Sequence, residues 1–362
     1  MSNKTLSPAQ QEKEKERKTR SRIRRKWHWG TFRHVLVIIL TFLAAVVAVL
    51  VMVLGQFFNG PSESASDMLT QLFHQTSAMK FVPYLYLWEN VAPALDRGSV
   101  LSVDQVTDTS LVNVAARAPK DYVAPGEEEE VFDENGIRLV EVKGATYHGY
   151  MMVVRDPSKV KLGTCAAQFS NEKSGKRVDE IMRDYGAIAC MNAGAFSDPN
   201  GQGKGGMAEG LVVSGGKIMH HASGGSYKYV AGFDNNDILH VGIIKDADVK
   251  KLGLRDACAF GPALIVNGKS SVSNDKGLQP RSVIGQRADG AVLLLVVDGR
   301  QSNSMGATYE DVINVMLDFG AVNACNMDGG SSTIMYYGDK KINEGMAISV
   351  SRPMPTAWIV FK

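Results

Sequence analysis

The stretch Asn323-Ala324-Cys325-Asn326-Met327-Asp328-Gly329-Gly330-Ser331-Ser332-Thr333 decides how this 362-residue chain is read. Its apolar lead-in, Val322 to Met327, reads as a short buried strand. Asp328 then stands at the carboxyl end of that strand, the edge where open sheets place their ligands. Gly329 and Gly330 admit backbone angles closed to other residues. They also let main-chain N–H groups approach an anion closely. Ser331 and Ser332 add small hydroxyl donors. An acid beside such a cradle suits chemistry on a phosphorylated substrate. A bare Asp-Gly-Gly is also the signature of a tight turn with an Asx cap, so the surrounding chain has to decide between them.

On both sides of this stretch, from about Val131 onward, short β-like runs alternate with glycine turns. Tyr147 to Val154 alternates and then becomes apolar, Ala187 to Asn192 reads as a buried strand, and Ala291 to Val297 is a strongly apolar one. Val212-Val213 runs into Ser214-Gly215-Gly216-Lys217, and Ala263–Val266 into Asn267-Gly268; both are hairpin signals. Helices are expected at Arg177 to Tyr185, ended by Gly186, and at Thr308 to Phe319, ended by Gly320. A last strand is expected at Ala357 to Phe361. Strands dominate, which indicates an α+β fold with mixed β-sheets and flanking helices in one domain over residues 136–362. More than 200 residues suffice for a large core.

The N-terminal third has a different composition. Val35 to Gly55 reads VLVIILTFLAAVVAVLVMVLG without a charge, about the 20 residues that a transmembrane helix needs. A buried core helix would carry a polar stripe, and this run has none. Residues 1–34 hold eleven Lys and Arg against three Glu, so the basic excess of the whole chain, only +2, belongs to this tail. By the positive-inside rule the tail is cytoplasmic, and the chain beyond about residue 56 is extracellular. Trp27, Trp29, Phe57 and Phe58 suit the two interfaces. The run is too long for a cleaved signal peptide, and no convincing cleavage site follows it. Next to a membrane span the basic tail reads as a topology signal that touches anionic lipid rather than as a nucleic-acid arm. Residues 56–118 read as a helical membrane-proximal stalk, and 119–135, with Glu127–Glu130, as an acidic linker.

Cys165, Cys190, Cys258 and Cys325 all follow the span. Their even number permits one or two disulfides on an oxidising side, and their small apolar neighbours permit buried thiols equally well. No Cys-x-x-Cys pair occurs, which argues against structural zinc. Polar groups gather in strand-end and glycine-rich positions: Asn192-Ala193-Gly194-Ala195-Phe196, Glu209-Gly210, Gly261-Pro262, Pro280-Arg281-Ser282, Asp298-Gly299-Arg300, the Asp328 stretch, and Ser351-Arg352-Pro353. Singly, each has an ordinary structural role. Together they are the parts expected of a site on one rim of a sheet.

The order of these motifs resembles that of the phosphodiester glycosidase family over about residues 145–362. Two departures stand out. Ala193 and Ala195 replace a glycine and an aromatic of the family's usual N-G-G-F-F, and Ser331 stands where a third glycine often follows the acid. The resemblance implies cleavage of a sugar, such as N-acetylglucosamine, from a sugar-1-phosphodiester. It implies Asp328 as nucleophile or base, with Asp298 second and Glu209 third. Arg281 and Arg300 would clamp the phosphate through their planar donor forks. Asn192, Gly194, Gly329, Gly330, Ser331, Ser332, Arg352 and His148 would complete the substrate contacts. No cofactor is implied; a divalent cation has no support in the sequence. The partners expected are a carbohydrate phosphodiester, in envelope glycopolymer or exopolysaccharide, and the membrane through one helix; nucleic acid is not among them. Two other readings are a non-catalytic glycan-binding or scaffold protein of the envelope and a metal-dependent phosphodiesterase. Clustered His and Asp ligands would mark the latter, and the few histidines here are not near the acids in sequence.

Overall fold

A computed structural model describes residues 8–60, 62–74, 79–87, 91–96, 100–101, 106–114, 131–199, 202–221, 229–273, 277–344 and 352–362. They form two compact units, Met1–Ser62 and Glu63–Lys362. The first is the helix Pro8–Phe58. Within its stretch Thr31–Phe58 an 18-residue window has a mean hydropathy of 3.3, and none of that window is buried. At 1.5 Å per residue those 28 residues extend about 42 Å, more than the roughly 30 Å of a bilayer's hydrocarbon. This helix is long and apolar enough to cross a membrane, and it starts before Val35 and ends after Gly55.

The helices Glu63–His74, Val82–Tyr86 and Val91–Asp96, read from sequence as a stalk, fold into the second unit with the sheets. Of the acidic linker, residues 119–130 lie outside the described residues. Among the described residues, three large sheets and a two-stranded ribbon, Val100–Leu101 with Val272–Ser273, hold the strands. The largest has seven strands in the order Lys269–Ser270, Ala263–Val266, Ala321–Met327, Arg281–Arg287, Val292–Val297, His148–Val154 and Ile137–Lys143. A second runs Lys217–His220, Val212–Ser214, Leu254–Phe260, Tyr229–Asp234, Leu239–Ile243. The third runs Lys340–Lys341, Met335–Tyr337, Ala189–Asn192, Thr356–Val360, Val160–Thr164. The fold is α+β, and the expected mixed sheets narrow to antiparallel ones: all described strand pairings are antiparallel.

The apolar run Val292–Val297 is buried along its whole length because both faces of its strand are covered. Val292, Leu294 and Val296 point into a core shared by the three sheets, where Trp358 meets Phe233 edge to face at 5.8 Å. Leu293, Leu295 and Val297 point the other way, against Val312, Ile313, Val315 and Met316. Those four belong to the helix Tyr309–Asp318, which Thr308 opens with a capping box to Asp311. The hairpin expected at Asn267-Gly268 forms, with both residues at positive φ (56° and 74°) as a type I′ turn requires. All four cysteines are free and buried, which decides between the two readings of them.

Register is what builds the site. In the large sheet Ser282 pairs with Met327 and Arg281 with Val297. One antiparallel strand therefore begins where its two neighbours end. Arg281, the Asp298-Gly299-Arg300 turn and Asp328 share one rim as a result.

Candidate active site

At that rim lies a cavity of about 630 Å³, within the range of small-ligand sites. Its wall includes Asp328, Gly329, Gly330, Ser331 and Ser332, together with Glu209, Arg281, Arg300 and Arg352. Nine residues singled out in the sequence are thus brought together from five separate stretches of chain.

Asp328 follows the strand Ala321–Met327 and is held by its main chain. Its N–H donates to the Ala193 carbonyl (3.0 Å), and its carbonyl accepts from Asn192 Nδ2 (2.5 Å). Its Oδ2 is shut off from solvent and has no hydrogen-bond partner among the described residues. Burial pushes the carboxyl up to about 7, against the opposing pull of the Ser332 hydroxyl, the Arg352 charge and the Gly329 N–H. A carboxyl so poised exchanges protons near neutrality, as catalytic acids and bases must. A turn cap would show the reverse pattern, an exposed carboxylate saturated by main-chain donors.

The arginines are fixed by different means. Arg281 is buried, stacks on the Tyr309 ring at 3.8 Å, and donates from Nε to the Ala307 carbonyl (3.1 Å) and from Nη2 to Gly277 (3.0 Å). Arg300 sits at φ +57°, a backbone conformation uncommon outside glycine, and its Nη2 donates to Gln279 Oε1. Burial, and then the like charge of Arg281, hold the Arg300 guanidinium below its usual range. Two guanidinium groups of like charge on one wall are a receptor for an anion. Gly330 lies against this wall; a Cβ built on it would be 3.8 Å from both terminal nitrogens of Arg300. The anion cradle expected from main-chain N–H groups is only partly available. Gly330 N donates to the Pro280 carbonyl (3.0 Å), and the Gly329 N–H serves the Asp328 carboxyl itself. Arg352 is likewise engaged: both its terminal nitrogens bond Asp198, at 2.8 and 2.7 Å.

Four expected residues lie away from the cavity wall. Asn192 is fully buried and acts as a bracket: its Oδ1 accepts from Ser282 Oγ (2.8 Å) and Ile334 N (3.1 Å), while its Nδ2 holds Asp328. Gly194 is a packing position, where a Cβ would come within 2.9 Å of the Cys258 side chain. Asp298 is buried, and its carboxylate accepts from Asn343 Nδ2 (2.9 Å) and Glu344 N (3.2 Å), so it ties the rim to a later loop. His148 bonds Glu141 across the strand pair His148–Val154 and Ile137–Lys143.

Several wall residues carry no sequence motif. Asp198 directs Arg352, and Gln279 directs Arg300. The nearest signal for Asp198 is its place two residues after Phe196, whose ring lies 5.1 Å from the Arg352 guanidinium. His74, the last residue of the helix Glu63–His74, and Lys80, in a turn after it, also line the cavity. No group of three or more His, Cys, Asp or Glu side chains converges as a metal site among the described residues.

Comparison with known proteins agrees with this picture. Residues 185–361 match the family model described as phosphodiester glycosidase. A zebrafish N-acetylglucosamine-1-phosphodiester alpha-N-acetylglucosaminidase catalytic domain, auto-inhibited by its pro-peptide, is similar in fold: TM-score 0.51 at 18% identity, over 72% of this chain and 96% of that one. A protein of Burkholderia pseudomallei K96243 aligns at TM-score 0.46 and 15% identity, over 60% of this chain and 74% of that one. In sequence, 105 residues are 36% identical to the SPbeta prophage-derived uncharacterized protein YomE of Bacillus subtilis (strain 168), 27% of this chain and 16% of that protein. The chain thus spans less than a fifth of that curated relative.

Proposed function

Because residues 185–361 match the phosphodiester glycosidase family model, we propose that the protein hydrolyses a sugar-1-phosphodiester at the bond between the anomeric carbon and the phosphate oxygen. The observation that carries this reading is Asp328: a carboxyl raised by burial to about 7, facing the cavity that also holds Arg281 and Arg300. In the reaction the C–O bond breaks and its electron pair leaves with the phosphate, giving a phosphate monoester. Water supplies the hydroxyl of the freed sugar. A phosphate monoester is a weakly basic leaving group, so it needs little general-acid help, unlike an ordinary alcohol. It needs positive charge as negative charge collects on it, and Arg281 and Arg300 supply that. Ionised Asp328 serves the oxocarbenium-like centre as nucleophile or as base for water. Glu209, on the same wall, is the second carboxylate of the site.

The sugar proposed is N-acetylglucosamine, the group named for the zebrafish enzyme of similar fold. The span Thr31–Phe58 and its basic flank support a single-pass anchor with the tail in the cytoplasm and the catalytic domain outside. Envelope glycopolymer or exopolysaccharide would then be the substrate within reach. The test is incubation with a panel of sugar-1-phosphodiesters and mass analysis of the products. Free sugar with an intact phosphate monoester is expected. Sugar phosphate would mean P–O cleavage, and unchanged substrate across the panel would leave a binding role; either result rejects the proposal.

A further inference from the structure

The geometry points to His74, at the end of the helix Glu63–His74, and Lys80 as the specificity wall of this cavity, with Lys80 binding a second phosphate of the substrate, beyond the one that is cleaved. This rests on the reaction proposed above and names its substrate class: a sugar-1-phosphodiester whose aglycone is itself phosphorylated, as in a polymer of repeating phosphodiesters.

Three observations carry it. The first is placement. His74 and Lys80 line the same cavity as Asp328 and Arg300, although they lie more than a hundred residues ahead of the first site motif. The second is a physical link. Gln279 accepts from Arg300 Nη2 through Oε1 and reaches the Leu72 carbonyl with Nε2 at 3.5 Å. One buried amide thus touches both the phosphate-binding arginine and the helix Glu63–His74. The third is charge. Arg352 is matched by Asp198. Lys80 has no carboxylate within salt-bridge distance among the described residues. Its charge is nevertheless felt in the cavity: against burial, which pushes Asp198 up, the Arg352 and Gly203 hydrogen bonds, the Arg352 charge and last the Lys80 charge hold Asp198 below the usual carboxylate range. Beside it, burial and then the Lys80 charge lower His74, so the imidazole adds no competing cation at neutral pH. The scissile phosphodiester carries a single negative charge and already has two guanidinium forks assigned to it, Arg281 and Arg300. A third, unmatched ammonium on another stretch of wall is surplus for that group. It suits another anion of the same molecule, and a compact point charge on a flexible stem serves a phosphate well.

The test uses the full chain in detergent and two substrates: N-acetylglucosamine-1-phosphate as its methyl diester, and the same sugar phosphate esterified to glycerol 3-phosphate. At low salt the wild type should favour the second by about tenfold in kcat/KM, and the preference should shrink as salt screens it. Lys80→Ala should abolish most of the preference and Lys80→Glu should invert it. No preference in the wild type, or one that survives both substitutions, would overturn the proposal. Should neither compound be cleaved, the reaction assigned above is wrong, and the anion site is judged by binding instead. Calorimetric titration with a glycerol phosphate trimer should then show at least tenfold weaker binding to Lys80→Glu than to wild type; equal affinity, or none in either, overturns it.

Discussion

Replacing Asp328 by Asn should make the protein more stable and catalytically dead, and the size of the gain can be worked from its burial. The folded chain holds the Asp328 proton until about pH 7, whereas an unfolded Asp releases it near 3.9. Between those values the folded state binds more protons, so raising the pH favours the unfolded chain; the destabilisation grows from about pH 4 and is complete above about pH 7. Three units at 1.36 kcal/mol each give about 4 kcal/mol as an upper figure. Asn escapes that penalty and loses part of the interaction with Ser332 and the Gly329 N–H, which leaves a net gain of about 2–4 kcal/mol at pH 8. The unit Glu63–Lys362 unfolds with an entropy of about 0.6 kcal/mol per kelvin, so the melting point should rise by about 3–6 °C. At pH 4.5, where both side chains are neutral, the two proteins should melt within about 1–2 °C of each other. Turnover should fall by several orders of magnitude, because the remaining groups can only bind. Differential scanning calorimetry at the two pH values, with turnover on the same samples, checks all three. A melting difference that does not grow with pH, or activity near wild type, would refute the assignment and return Asp328 to the role of a turn cap, which Asn fills equally well.

If Asp328 acts as nucleophile or base, wild-type kcat/KM should rise with pH through an apparent pKa near 7; a flat profile from pH 5 to 9 contradicts it. Arg281→Lys and Arg300→Lys keep the charge and lose the fork, so each should cost about 2–3 kcal/mol of transition-state stabilisation in kcat/KM. Arg281→Lys should also lower the melting point, since it forfeits the Ala307 and Gly277 carbonyls and the Tyr309 stack. Asn192→Ala strands three buried partners, at about 3 kcal/mol in urea unfolding, with lost activity as Asp328 shifts; an active variant of normal stability would dismiss the bracket. A reporter active only outside the cell should work when fused after Lys362 and stay silent when fused after Lys26.

The backbone plan of the domain was legible because turn chemistry and periodicity agreed locally. The Asn267-Gly268 hairpin, the Thr308 cap and the run Val292–Val297 all stand where the residues indicated. The order of Asp328 over Asp298 came from the resemblance and not from local chemistry, since both are acids at strand ends before a glycine. What separates them is Asn343, 45 residues beyond Asp298, which saturates one carboxylate, while Asp328 Oδ2 is left without a partner. Gly329 and Gly330 read as anion-binding main chain, yet Pro280, just ahead of the neighbouring strand, supplies a competing carbonyl to Gly330. Lys80 and Gln279 were invisible because nothing in their local sequence encodes the cavity that tertiary packing brings to them. Arg352 was found by motif, but its role depends on Asp198, an acid in a loop that carries no pattern of its own.

The strand Thr356–Val360 pairs on one side with Val160–Thr164 and on the other with Ala189–Asn192, where Ala357 lies opposite Asn192. A ribosome making this chain must add more than 160 further residues after Asn192 before the sheet can close around it. Until then the two earlier strands have no partner between them, Trp358 is missing from the middle of the core, and the bracket that holds Asp328 is unsupported. The site around Asp328 therefore cannot be completed gradually during synthesis. It is completed only after the polypeptide has been made almost to residue 360.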